Sequence, residues 1–188
     1  MSSIAQYMGP VARQLLDAWS ALPKRQLVPD RQSFDPMAIA RILPVISLLE
    51  RAGEGEWRFR LIGTALEQRW GRRLTGLDYF TIASAEAAAV VRREFEGVVK
   101  RPCASWSIRC VEYDSGRHAG LEALHLPLRA RDGSLSLILS CDGELSGRSP
   151  RETDRPMTIL RVTRQRFIDI GAGVPAESAL PGPAQPGG

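Results

Sequence analysis

The chain has 188 residues, 44% of them hydrophobic and 24% charged, with a net charge of +4. That length suits one domain with an added helix or tail, and the composition is that of a folded globular chain rather than a fibrous, disordered or membrane one. Cys103, Cys110 and Cys141 are odd in number and lack a C-x-x-C pair, so neither a disulfide framework nor a zinc cluster is expected, and a reducing cytoplasm is the expected compartment. The amino terminus shows no basic flank before an apolar run, and no stretch reaches the ~18 apolar residues of a membrane span. No export segment or membrane partner is therefore expected.

In chain order, Val11, Leu15, Leu16, Trp19 and Leu22 recur at helical spacing and predict an amphipathic helix that Pro23 ends. Ser33 or Asp35 caps a second helix with Pro36 in its first turn and Ile39, Ile42 and Leu43 facing inward, stopped by Pro44. Val45 to Leu49 reads as a buried strand. It is joined through Ala52-Gly53-Glu54-Gly55 to a strand in which Trp57, Phe59 and Leu61 alternate with Arg58 and Arg60. Thr64 and Glu67 have capping-box spacing for a short helix bearing Leu66 and Trp70 and closed by Gly71. An irregular aromatic stretch runs from Arg72 to Phe80. A longer helix then starts near Ser84, with Val90, Val91, Phe95, Val98 and Val99 on its apolar face. Three strands follow, around Trp106 to Val111, Leu121 to Arg129 and Leu135 to Asp142, with Asp132-Gly133 turning the last hairpin. Pro127 suggests an edge or a bulge.

Between Arg148 and Arg166 six arginines face two acids, which accounts for the whole net charge and leaves the rest of the chain balanced. A nucleic-acid groove in the main fold is therefore not expected, and the basic segment reads as a solvated face. Thr158 to Ile168 fits a helix, while Phe167 to Ile170 fits a strand equally well. From Gly171 to Gly188 there are five glycines, four prolines and one charge, and disorder is expected. The expected division is 1–32 helix and linker, 33–145 main domain, 146–170 basic element and 171–188 tail.

This β-β-α-loop-α-β-β-β order does not alternate as βαβ, which argues against a doubly wound sheet. It is similar to the order of a PAS domain. The runs Leu22-Pro23, Phe34-Asp35-Pro36, Ile42-Leu43-Pro44, Phe59-Arg60-Leu61-Ile62-Gly63-Thr64 and Gly71-Arg72-Arg73-Leu74-Thr75-Gly76 resemble those of a stand-alone bacterial PAS-like family. The resemblance spans about Leu15 to Glu144. It implies an α+β fold with a five-stranded antiparallel sheet and helices on one face, used for sensing or protein contact and not for a reaction.

On that topology Trp70, Tyr79, Phe95, Trp106 and His125 wall a ligand cavity between the long helix and the sheet. Each also has an ordinary reading, as core aromatic or satisfied sheet histidine, and His125 has haem ligation as a further alternative. No cofactor is singled out. A flavin-thiol photosensor would carry its cysteine in an Asn-Cys-Arg-type run, which is missing. Ile168-Asp169-Ile170-Gly171-Ala172-Gly173 has the look of a methyltransferase nucleotide turn, but no βα units follow it. Glu94, Glu96, Glu112, Glu122, Asp78 and Asp114 have no catalytic spacing and read as solvent-facing, so catalysis is not expected. The remaining readings are a small-molecule sensor and a ligand-free adaptor. A homodimer is expected through the helix Val11 to Leu22, whose apolar face needs cover.

Overall fold

The computed structural model describes residues 5–145 and 156–176. Helix α1 (Pro10–Ala21) leads into a two-residue hairpin, β1 (Lys24–Arg25) and β2 (Val28–Pro29). Its turn residues Gln26 and Leu27 both have positive φ, a conformation that disfavours side chains beyond glycine. Short 3₁₀ turns at Pro36–Ile39 and Leu43–Val45 replace the expected second helix. Asp35 caps the first of them by accepting from the Met37 amide.

The main sheet contains β3 (Ile46–Gly53), β4 (Glu56–Ile62), β5 (Cys103–Tyr113), β6 (His118–Leu128), β7 (Leu137–Glu144) and β8 (Met157–Asp169). Their spatial order is β4-β3-β7-β6-β5-β8, with every pairing antiparallel. The α+β class and the antiparallel sheet agree with expectation. The strand number is six rather than five, because the ambiguous 158–168 segment forms the edge strand β8.

Two bulges explain that ambiguity. The β5–β8 register slips past Thr163 and again past Leu160. Each slip inserts a three-residue step into a two-residue alternation, so the positions facing one side, Met157, Ile159, Val162, Gln165 and Phe167, mimic a helical spacing. The Leu160 carbonyl set free by one bulge accepts from Ser84 Oγ, at the start of α3 (Ala85–Lys100). Ser84 Oγ in turn accepts from the Ala87 amide as the helix N-cap. Arg161 and Arg164 project outward from β8, as Arg58 and Arg60 do from β4 at the opposite edge, and charged edges discourage pairing with another sheet.

Helices cover both faces of the sheet, the N-terminal one lying opposite the others. Helix α3 and the short α2 (Thr64–Trp70) lie on one face, in a cluster with Trp57, Phe59, Tyr79 and Ile138. Helix α1 lies on the other. Its Ala12, Leu15, Leu16 and Trp19 pack among Leu124, Leu126, Leu139 and Trp106. The face that called for a second copy is thus covered within the chain, and Trp19 Nε1 donates to the Pro127 carbonyl at 2.9 Å.

Local details also differ. Pro127 lies in a central strand rather than at an edge, at a point where β5 pairing has already stopped at Ser105. A register slip between β3 and β4 at Arg60 turns Leu61 outward, leaving it 54% exposed. The N-cap of α2 is Gly63 rather than Thr64, and Glu67 Oε1 accepts from the Leu74 amide instead of closing a capping box. A Cβ at Gly63 would sit 2.3 Å from the Pro44 carbonyl, so this glycine permits the close crossing of the two segments. Gly71 ends α2 in the left-handed conformation.

In the tail, Asp169 Oδ1 accepts from the amides of Gly171 and Gly173. The segment then runs along α3, with Arg101 donating to the Val174 carbonyl. The methyltransferase-like run therefore opens no helix. Arg148, Arg151 and Arg155, and the tail beyond residue 176, lie outside the described residues.

Candidate functional site

Strand alternation gives the sheet two chemically different faces. Towards α1 the centre is Trp106, Leu124, Leu126, Leu139 and Cys141. Towards α3 it is Ser105, Ser107 and Arg109 of β5, His125 of β6, and Ser140 and Asp142 of β7, all buried. Glu94, 2% exposed, descends onto this strip from α3.

Arg109 organises the strip, and its guanidinium is fully enclosed. One Nη donates to the Tyr79 hydroxyl; the other donates to Glu94 Oε2 at 3.1 Å and to His125 Nε2 at 2.5 Å. Glu94 Oε1 accepts from Ser105 Oγ at 2.7 Å, and Gln165 donates to the same hydroxyl. Asp142 Oδ1 lies 3.9 Å from Arg109. Arg109 Nε and Ser107 Oγ are buried without a partner among the described residues.

The partners set the protonation states. Burial pushes the His125 pKa well below 6.5, and the nearby Arg109 cation pushes it the same way, so the ring is neutral. Arginine carries only donors, so Nε2 must accept and Nδ1 holds the proton, which it donates to Ser140 Oγ. Burial raises the Asp142 pKa, against the opposing pull of Arg109 and Arg69. Burial likewise raises the Tyr79 pKa, so its hydroxyl stays protonated. Burial works against the Arg109 charge, but the carboxyl groups of Glu94 and Asp142 favour it, and the neutral Tyr79 hydroxyl accepts from the guanidinium, which stays cationic.

Ser140, His125 and Glu94 follow one another in the order of a nucleophile relay, with His125 Nε2 3.8 Å from Glu94. Arg109 occupies the ring nitrogen that such a relay would turn to its carboxylate, so the Ser140–His125–Glu94 row is not wired as a relay.

Four of the five residues singled out from sequence lie on this side. Trp70, Tyr79 and Phe95 share one apolar cluster. The Phe95 ring meets Tyr79 at 5.0 Å and His125 at 4.9 Å, both edge-on. Trp106 does not join them. Its place in the alternation turns it to the α1 face, where Nε1 donates to Glu122 Oε1 at 2.7 Å. That Glu122 carboxylate also accepts from the Gly9 amide at the start of α1. Glu94 and Glu122 are thus buried, contrary to the solvent-facing expectation, and Asp78 accepts from the Trp57 amide. One signal was present for Glu94: it falls three residues after Val91 and four before Val98, inside the apolar stripe of its helix. Arg109, Ser140 and Asp142 had no comparable mark.

A six-stranded antiparallel sheet with a long helix closing a polar strip on one face defines an α+β fold of the PAS type. The chain belongs to the PAS domain family, whose sequence model matches residues 8–141. No curated protein matches it. Among solved structures it is similar to a light-oxygen-voltage domain studied with a flavin analogue, at 10% identity and a TM-score of 0.47, covering 59% of this chain and 84% of that one. It is also similar to VqmA bound to DPO, at 14% identity and 0.47, covering 61% of this chain and 58% of that one. A third is the PAS domain of a Colwellia psychrerythraea protein, at 11% identity and 0.46, with 60% and 98% covered. The chain thus spans a little over half of VqmA.

Proposed function

We propose that this chain is a sensory signalling PAS module that takes a small polar molecule into the strip between α3 and the sheet, contacted by Arg109, Tyr79 and His125. The observation that carries this reading is the pair of orphaned groups, Arg109 Nε and Ser107 Oγ, inside an otherwise bonded network. A buried polar group left unpaired costs about 1–3 kcal/mol, so a ligand that supplies an acceptor there recovers part of that cost. Because Glu94 ties α3 to Arg109, a ligand competing for the guanidinium would shift the helix against the sheet and pass the signal to a partner.

Thermal-shift measurements on the full chain against pooled metabolites test this, since a ligand that binds only the folded state raises stability by RT ln(1 + [L]/Kd). The expected result is a shift with at least one acceptor-bearing compound, weakened in Ser107→Ala. No shift from any pool, together with no small molecule in native mass spectra of the purified chain, favours the ligand-free adaptor. One observation supports that second reading: Phe95, Tyr79, Phe80 and Trp57 already fill the space beside the network ring against ring.

The reading includes no reaction and no nucleic-acid partner. It places the chain in the cytoplasm, on the three free cysteines. Among the described residues no helix is long and apolar enough to cross a membrane. A homodimer remains part of the proposal, through a surface other than the covered apolar face of α1.

A further inference from the structure

The β1–β2 hairpin and the β6–β7 turn enclose an open cleft of about 440 Å³. Its charged lining is Arg25, Arg31, Arg129 and Arg131 against Asp30 and Asp132. The four arginines have different duties. Arg129 is built into the wall, one Nη donating to the Gly133 carbonyl at 2.7 Å and the other to the Arg25 carbonyl, while its Nε is buried with no partner among the described residues. Arg31 lies over the Phe34 ring and donates to that residue's carbonyl. Arg25 and Arg131 are exposed, and neither guanidinium makes a hydrogen bond or ion pair among the described residues.

The acids are not equivalent either. Asp132 turns one oxygen back into its own loop, accepting from the Ser134 amide at 2.9 Å. Asp30 lines the cleft, and its carboxylate has no side-chain bond among the described residues. Free guanidinium forks match the paired oxygens of a phosphate, and an unengaged carboxylate beside them accepts from a hydroxyl. The backbone supports the arrangement. Arg31 N donates to the Arg129 carbonyl and Arg129 N to the Pro29 carbonyl, so the two walls are stitched together. Arg25 is held at the edge of a turn whose two residues both have positive φ.

We propose that this cleft binds the phosphate ester of a small hydroxyl-bearing molecule, a sugar phosphate or nucleotide, with the phosphate on Arg25 and Arg131 and a hydroxyl on Asp30. The site is separate from the polar strip beneath α3, and a volume of this size lies within the ordinary range for small-molecule sites.

Isothermal titration calorimetry of the full chain with ribose 5-phosphate, at low salt, tests it. The expected result is saturable one-to-one binding that weakens as salt is raised, with Kd at least about tenfold higher in Arg25→Gln/Arg131→Gln. Arg131→Gln alone, in a surface turn, serves should the double variant lose its fold. Arg161→Gln/Arg164→Gln on β8 controls for diffuse attraction to basic side chains and should leave Kd unchanged. No saturable binding overturns the proposal, as does an equal loss in the β8 variant. Citrate bound as tightly as ribose 5-phosphate overturns the assignment to phosphate, and ribose bound as tightly overturns the role of the arginines.

Discussion

The two faces of the central sheet are held by different physics. Beneath α1 the contacts are aliphatic and aromatic, and the few polar groups there, Trp19 Nε1, Trp106 Nε1 and Glu122, are bonded. Beneath α3 a ring of aromatics surrounds a buried cation, its carboxylate, a neutral imidazole and several hydroxyls. Apolar packing adds stability roughly in proportion to area and tolerates substitutions that keep volume. A buried ion pair adds little net stability over an apolar replacement, yet it is costly to break from one side. One face therefore works as ordinary core, while the other fixes how α3 sits and is the face to which the proposed ligand is assigned.

The sharpest test sets one large truncation on each face side by side. Trp106→Ala should cost about 3–5 kcal/mol in denaturant unfolding, from lost volume and from a Glu122 carboxylate left without its indole donor. Since Trp106 lies beneath α1, this variant should leave any ligand-induced shift intact, and loss of that shift would show that the two faces are not separable.

Arg109→Met should cost a similar ~3–5 kcal/mol, for a different reason: it strands Glu94 without its cation. Adding Glu94→Leu should then recover much of the loss, with a coupling energy of about 0.5–3 kcal/mol. If the double variant is merely the sum of its parts, the network is not the cooperative unit described.

The smallest expected effect is a pH slope. His125 is neutral in the folded chain with a pKa held well below 6.5, so below about pH 6.5 the unfolded chain binds a proton that the folded chain refuses. Stability should fall as the medium is acidified, by up to ~1.4 kcal/mol per pH unit from this one group. Asp142 acts the other way. Its raised pKa means that its contribution is full in acid and is lost as pH rises from 3.8 through its folded value. Comparing the wild type with His125→Gln between pH 7 and pH 5 isolates the histidine, and the variant should show the shallower slope. Identical slopes would mean that the ring takes up its proton at the same pH in the folded and unfolded chain.

Much of the fold was legible because it depends on local periodicity. The stripe Val90, Val91, Phe95, Val98, Val99 gave α3 with Ser84 at its cap, and Gly71 ended α2 where expected. Where bulges interrupt the alternation, local reading loses its phase. That is why Leu61 emerged on the wrong side of β4 and why β8 looked like a helix. Of the candidate residues, Tyr79, Phe95 and His125 lie together on the α3 side of the sheet, whereas Trp106 lies on the other, because nothing local says which face of a strand will meet which helix.

What the sequence alone determined is the class of fold, the order and limits of most elements, and the presence of aromatics along the long helix, since these follow from spacing, caps and turn residues. Which side of the sheet each helix covers, and hence that Glu94 meets Arg109 and His125 instead of water, was decided only by the packed structure. The reason is physical. An arginine alternating with apolar residues is equally consistent with a solvated face and with a buried one, and the difference appears only when a helix carrying the complementary carboxylate closes over it.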